Sequence, residues 1–146
     1  MFEKLKVIEL ASVLAGPAVG TFFAELGSEV IKVENKLSGG DMTREWKLST
    51  EDPESGISAY FSSVNYHKKY LSKDLSKKKD QDEVHDLIRS ADIVIVNFKH
   101  QGAEKFRMDY KTLSNLNPGL IYGSIEGFSS DPGKVAFDMV LQAETG

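Results

Sequence analysis

The chain contains no cysteine, which excludes a disulfide framework, a thiolate metal site and a cysteine nucleophile. It also lacks any apolar run near the roughly 18 or more residues that a membrane-spanning helix needs. The first residues lead directly into a strand-like pattern, without the apolar segment of a signal peptide. These features predict a cytoplasmic protein with no membrane partner.

The chain has fewer basic than acidic residues, 18 against 22, which gives a net charge of −4. This balance argues against nucleic acid as the main partner. Seven basic residues nevertheless fall within the 13 positions from His67 to Lys79. Such a run suits either a polyanionic small molecule or a solvated loop and helix start, and the residues alone favour the second.

Strand and helix patterns alternate along the 146 residues, a length typical of one domain. Strands are predicted at residues 6–10, 29–33, 92–96 and 120–124, and helices after Pro17 and at 80–89 and 110–116. Residues 59–64 and 69–71 are interpreted as short strands or extended segments. The long segment 35–57 is predicted to be a functional loop or to wrap over a partner. The first helix is expected to start at Pro17, to bury Phe22, Phe23 and Leu26, and to stop at Gly27.

This alternation predicts an α/β fold, a Rossmann-like parallel sheet with helices on both faces. A ligand crevice is then expected where the strands end. The segments that follow the predicted strands contain several polar or charged side chains and four glycines: Lys36, Asn97, Lys99, His100 and Glu126, with Gly16, Gly39, Gly40 and Gly127. Lysines beside exposed backbone N–H groups suit a ligand that carries phosphate.

Other small-molecule sites are disfavoured. Glu34 stands where a dinucleotide-binding fold has its ribose-binding acid, but the turn lacks the Gly-x-Gly-x-x-Gly pattern and Pro17 removes an N–H. His67, His85 and His100 show no metal-ligand spacing, and His85 is predicted on a helix surface, so no metal site is expected. Asp138 is interpreted as a helix N-cap or first-turn carboxylate rather than as a catalytic acid.

Ordered short motifs over nearly the whole chain resemble family III CoA-transferases, the CaiB/BaiF type that includes formyl-CoA transferases. They are Val13-Leu14-Ala15-Gly16-Pro17, Val30-Ile31-Lys32-Val33-Glu34, Gly40-Asp41-Met42-Thr43-Arg44, Tyr60-Phe61, Asn65-Tyr66-His67-Lys68-Lys69, the stretch from Ala91 to Phe98, Leu116-Asn117-Pro118, Leu120-Ile121-Tyr122 and Ser124-Ile125-Glu126-Gly127-Phe128. The resemblance implies that residues 1–146 form the N-terminal part of a large Rossmann-like CoA-binding domain, incomplete relative to the full family fold and without the family's small domain. It also implies an interlocked dimer that transfers CoA between an acyl-CoA and a carboxylic acid through an aspartyl anhydride and an aspartyl-CoA thioester.

Carried over position by position, the resemblance implies contacts with coenzyme A at a set of matching residues: Leu14, Ala15, Asn35, Lys36, Lys73, Asp74, Leu75, Ser76, Asn97, Phe98, Lys99, Lys105, Val135 and Asp138. Lys99 and Lys105 would pair with CoA phosphates. Two positions depart from the pattern. An arginine is common in formyl-CoA transferases where this chain has Asn35, so Lys36 would take its place. The usual Asn-Phe-x-Pro-Gly lacks its proline after Asn97.

By the same resemblance the nucleophilic aspartate is expected beyond Gly146, so no catalytic residue is assigned within the chain. The chain is therefore expected to bind CoA without turnover and to associate with another copy or with a missing C-terminal portion. A non-catalytic truncated paralogue or assembly subunit is the alternative. An acyl-CoA racemase is disfavoured, because Phe137 stands where those enzymes carry a catalytic histidine.

Overall fold

The computed structural model describes residues 2–99, 101–128, 131, 134 and 136–146. In these residues five parallel strands form one sheet in the order β3-β2-β1-β4-β5. The strands are β1 (Lys6–Leu10), β2 (Glu29–Asn35), β3 (Lys69–Lys73), β4 (Ile93–Val96) and β5 (Ile121–Ser124). The predicted α/β fold with a parallel sheet is confirmed.

Each of the four connections between consecutive strands contains at least one helix: α1 (Ala15–Glu25), α2 (Ala59–Ser63), α3 (Lys78–Arg89), then α4 (Gly102–Lys105) and α5 (Tyr110–Leu116), with α6 (Asp138–Thr145) after β5. Two single 3₁₀ turns, Lys36–Ser38 and Met42–Glu45, interrupt the long segment after β2. Asp138 lies in the first turn of α6, as predicted. No helix in the described part of the chain is both long and apolar enough to cross a membrane.

The prediction of an extended segment at residues 59–64 was wrong, because these residues form α2. The Ser58 hydroxyl accepts a hydrogen bond from the Phe61 N–H at 2.9 Å and caps the helix N-terminus. The helix then buries Phe61. The neighbouring prediction at 69–71 was correct for a strand, which extends to Lys73.

Successive residues of the central strands face opposite sides of the sheet, as strand geometry requires. Ile8 and Leu10 pack with Val94 beneath α3 and α5, in a cluster that includes Val84 and Leu113. On the other side Val7, Val30, Ile93 and Ile95 pack against Ala24 of α1. Helices therefore cover both faces of the sheet, as predicted.

Helix α1 contacts the sheet through small side chains rather than through the predicted aromatic face. Gly16, Pro17, Gly20, Thr21 and Ala24 are its buried residues, whereas Phe22 is 54% exposed. The prediction was wrong for Phe22 and Leu26 but correct for Phe23, which packs partly buried against the core. Charged side chains fill the space between α1 and the sheet, so only a helix face of small residues fits there.

The ends of α1 differ slightly from the prediction. Pro17 is the third helical residue rather than the first. It still lies in the first turn, where its missing N–H has no intrahelical acceptor. Gly27 follows the helix at φ +94°, which confirms it as the C-terminal stop.

Candidate functional site

A cavity of about 620 Å³ opens where strands β1 to β4 end. Its wall combines the ends of these strands, the segment after β2 and helix α4: Leu10, Ala11, Ser12, Lys32, Val33, Glu34, Asn35, Leu37, Ser38, Gly40, Asp41, Met42, Lys73, Asp74, Leu75, Ser76, Asn97, Phe98, Lys99, Gly102, Lys105 and Phe106. Parallel strands bring these distant segments together at one edge of the sheet. The cavity is hereafter the strand-end cavity.

Nine of the fourteen residues proposed from the resemblance line this cavity: Asn35, Lys73, Asp74, Leu75, Ser76, Asn97, Phe98, Lys99 and Lys105. Leu14, Ala15 and Lys36 are exposed residues next to the lining segments but do not line it themselves. Asp138 lies on α6, away from the lining, where its carboxylate accepts a hydrogen bond from Gln142 at 2.6 Å. Val135 lies outside the described residues, and so does His100.

Lys99 and Lys105 are exposed side chains at the cavity. Within the described residues neither ammonium has a carboxylate within 4.0 Å. Lys73, by contrast, pairs with Glu83. Lys99 and Lys105 therefore keep their charge available for an anionic ligand.

The basic run from His67 to Lys79 does not converge on one site. Lys68 is buried beneath α1. Lys69 pairs with Glu29 at the amino ends of β3 and β2, opposite the strand-end cavity. Lys78 pairs with Asp82 within α3 at 2.8 Å. Of the lysines in this run, Lys73 lines the strand-end cavity.

The loop between β1 and α1 is held from two sides. Asn97 at the end of β4 accepts from the Ser12 N–H at 3.0 Å and donates to the Ser12 carbonyl at 2.8 Å. From the β2 side, the Asp41 carboxylate accepts from the Val13 N–H at 3.1 Å. The turn is also tight, because a Cβ on Gly16 would lie 2.2 Å from the Cβ of Ala11.

Four charged side chains, Glu9, Lys32, Asp41 and Lys68, are buried together between the sheet and α1 and are hereafter the charge cluster. The Lys32 ammonium lies 2.8 Å from Glu9 Oε1 and 3.0 Å from Asp41 Oδ2. Lys68 Nζ lies 2.7 Å from Glu9 Oε2. All four side chains are at most 1% exposed. Since two positive charges oppose two negative ones, the cluster is neutral overall.

Burial and pairing shift the pKa of two cluster members. Burial alone raises the pKa of Asp41, but the Lys32 ammonium and the hydrogen bonds from Thr43 outweigh it and hold this pKa below its ordinary value. Burial lowers the pKa of Lys68, against the opposing effect of Glu9. Asp41 thus remains a carboxylate at neutral pH.

Sequence reasoning missed the charge cluster, although one signal was present. Glu9 and Lys32 are opposite charges within two strands that were predicted to be buried neighbours, and they pair in register. Asp41 and Lys68 lie outside strands and carry no comparable signal.

The prediction of a surface position for His85 was wrong, because the ring is buried and its Nε2 lies 2.8 Å from the Arg107 carbonyl.

Two further observations concern the dinucleotide and metal sites considered above. The Glu34 carboxylate, compared above with a ribose-binding acid, is bound by the Arg44 guanidinium at 2.8 and 2.9 Å. The same guanidinium lies 3.8 Å from the centre of the Phe61 ring. In the described part of the chain, no three His, Asp or Glu side chains are grouped to hold a metal ion.

The sequence profile of CoA-transferase family III matches residues 2–146. The chain belongs to this family. It is 42% identical to the succinate–glutarate CoA-transferase of Agrobacterium fabrum over 97% of this chain and 37% of that protein. It is 39% identical to the succinyl-CoA:mesaconate CoA-transferase of Haloarcula hispanica over 99% of this chain and 38% of that protein.

The fold is shared with solved structures of the family. A CaiB/BaiF family protein from Brucella suis superposes with a TM-score of 0.87 at 38% identity, over 99% of this chain and 39% of that chain. The chain thus spans less than two fifths of the length of these relatives. Its family membership explains why the short motifs occur in the observed order.

Proposed function

We propose that the chain is the CoA-binding part of a CoA-transferase, an enzyme that moves CoA between an acyl-CoA and a carboxylic acid. The observation that carries the proposal is the strand-end cavity with Lys99 and Lys105 exposed and unpaired beside it, within the described residues. CoA carries three phosphates, and lysine ammonium groups bind phosphate as point charges. Family membership supplies the class of reaction.

The other lining residues suit the remaining parts of CoA. Leu37, Leu75, Phe98 and Phe106 offer apolar surface to the pantetheine arm or the adenine ring. The Phe98 and Phe106 rings are 5.9 Å apart, and a third ring can pack on such a pair. The exposed residues Leu14, the N-cap of α1, and Ala15, its first residue, lie at the positive end of a helix dipole, which favours an anion.

The proposed reaction uses an aspartate in the remainder of the family fold. Its carboxylate attacks the thioester carbonyl and the C–S bond breaks. CoA departs as the thiolate, and the acyl group and the aspartate remain joined as a mixed anhydride. The thiolate then attacks the aspartyl carbonyl and releases the first acid as a carboxylate. The second acid accepts CoA by the same two steps in reverse. In this scheme the residues of this chain bind and orient CoA.

The first prediction concerns the two free lysines. We expect Lys99→Ala/Lys105→Ala to weaken CoA binding about a hundredfold or more, because each of the two lost charge-assisted hydrogen bonds removes roughly 1.5–3 kcal/mol of the interaction. Isothermal titration calorimetry of the purified chain measures this effect. Titration with CoA that lacks its ribose phosphate tests which phosphate the lysines contact.

Lys4→Ala/Lys69→Ala is the matched control. It removes the same charge from exposed positions at the opposite edge of the sheet and is expected to leave the affinity unchanged. Equal affinities of all three proteins would overturn the site assignment. No binding by a wild-type chain with native circular dichroism would overturn the proposed function and favour a non-catalytic role.

We also propose that the chain associates with further polypeptide, either a second copy or the remainder of the family fold. Val19 and Phe22 on α1 and Leu26 at its C-cap form an exposed apolar stripe, and Ile121 on the edge strand β5 is 63% exposed. We expect sedimentation velocity at micromolar concentration to show dimers or larger species. Phe22→Glu should shift this distribution towards monomer. A wild-type chain that sediments only as a monomer would contradict self-association.

A further inference from the structure

Val13 has an unusual backbone conformation for its residue type. Its φ is +70°, in the left-handed region that a β-branched side chain strongly disfavours. Strained residues of this kind persist only where the surrounding structure holds them in place. The neighbouring residue Ser12 lines the strand-end cavity, so the strained residue adjoins the cavity wall.

The Asp41 carboxylate supplies the restraint on Val13. The Val13 N–H donates to both oxygens, to Oδ2 at 3.1 Å and to Oδ1 at 3.3 Å, and Oδ2 also lies 3.0 Å from the Lys32 ammonium. Oδ1 also accepts from the Thr43 N–H at 3.1 Å and from the Thr43 hydroxyl at 2.9 Å. Both oxygens are therefore committed to protein donors, although Asp41 borders the cavity.

Lys32 fixes the position of this carboxylate in turn. The ammonium is fully buried on the central strand pair, where Glu9 Oε1 and the Ala11 carbonyl also contact it. Movement of the Asp41 carboxylate away from Lys32 would leave a buried charge without one of its partners. The charge cluster and the β1–α1 loop are thereby mechanically linked.

We propose that Asp41 is a positioning residue, which sets the conformation of the β1–α1 loop through the Val13 N–H and thereby the affinity of the strand-end cavity for CoA. The part that concerns CoA rests on the proposed function. The part that concerns the loop does not.

Amide hydrogen exchange tests the loop directly. Asp41→Asn keeps the side-chain volume, but it replaces one of the two oxygens shared by Val13, Lys32 and Thr43 with an amide group that cannot accept. We expect exchange at the Val13 amide to accelerate about tenfold or more. Thr43→Val is the control, because it removes one hydrogen bond to Asp41 and leaves the Val13 contact in place. Unchanged Val13 exchange in Asp41→Asn, or equal acceleration in Thr43→Val, would overturn the proposal.

A double-mutant cycle with Val13→Gly tests the consequence for CoA. Glycine adopts φ +70° without strain, so a glycine at this position needs less restraint from Asp41. We expect Asp41→Asn to weaken CoA binding about tenfold with Val13 present and less than about threefold with Val13→Gly present. An equal loss in both backgrounds would show that Asp41 acts on CoA by another route.

The two experiments separate failure of this inference from failure of the proposed function. If the wild-type chain binds no CoA, the proposed function fails, and the exchange experiment alone decides whether Asp41 holds the loop. Should Asp41→Asn not fold, the comparison is between Asp41→Asn and Val13→Gly/Asp41→Asn, with the fraction of folded protein measured by circular dichroism. Recovery of folding by Val13→Gly would support the restraint, and its absence would count against it.

Discussion

Replacement of Glu9 by Gln is expected to lower the free energy of unfolding by about 3–5 kcal/mol, the range for breaking a buried ion pair from one side. Glu9 is the shared anion of two buried ammonium groups, with Lys32 at 2.8 Å and Lys68 at 2.7 Å. Gln keeps the shape of the side chain but removes the charge that neutralises them. Urea denaturation followed by circular dichroism measures the loss.

Glu29→Gln provides the comparison for this prediction. Glu29 also lies in the sheet and pairs with a lysine, Lys69, at 2.6 Å, but both side chains are exposed. Such a pair contributes at most about 1 kcal/mol. If Glu9→Gln lowers the free energy of unfolding no more than Glu29→Gln does, the prediction that the buried pairs of Glu9 stabilise the protein is contradicted.

Gly20→Ala is expected to destabilise the protein by about 2–4 kcal/mol, at or above the usual cost of overpacking a core. The added Cβ would lie 1.9 Å from Glu9 Oε2 and 3.1 Å from Lys68 Nζ. To relieve this clash, either α1 must move off the sheet or the Glu9 carboxylate must leave its partners. Thermal unfolding of the purified variant tests the prediction.

The sign of the Gly20→Ala effect is informative, because the same change at an ordinary helix position stabilises by about 1 kcal/mol. Ala18→Gly on the exposed side of α1 measures that propensity in the same helix, and we expect it to destabilise by about 1 kcal/mol. An increase in stability from Gly20→Ala would contradict the close approach of α1 to the charge cluster.

The sheet was predictable from the sequence, because runs such as Ile93–Val96 are apolar throughout, as is typical of strands buried on both faces. The location of the cavity followed from the sheet, since parallel strands end at one edge. The face of α1 could not be predicted in this way. Periodicity favoured Phe22 and Leu26 as core residues, and the charges that exclude large side chains come from positions as distant as Lys68.

Residues 59–64 show a second limit of pattern reasoning. This segment is too short to display a helical period, and the Ser58 cap decides its conformation. The restraint on Val13 was equally invisible, because it depends on Asp41 in a loop of irregular structure. Tertiary contacts override local preference on α1 and at Val13, whereas at residues 59–64 a local cap decides.

The central place of β1 also has a consequence for the order of assembly during synthesis. Val7 pairs with Val30 on one side and with Ile93 on the other. The backbone groups on one side of β1 therefore stay unpaired until β4, a much later part of the chain, has been synthesised. The charge cluster uses nothing beyond Lys68 and can close while that side is still unpaired. Asn97, which holds Ser12, belongs to the late-arriving part. Loop closure over such a separation is entropically costly and slows folding. We therefore expect the wall of the strand-end cavity to be completed only when β4 has docked.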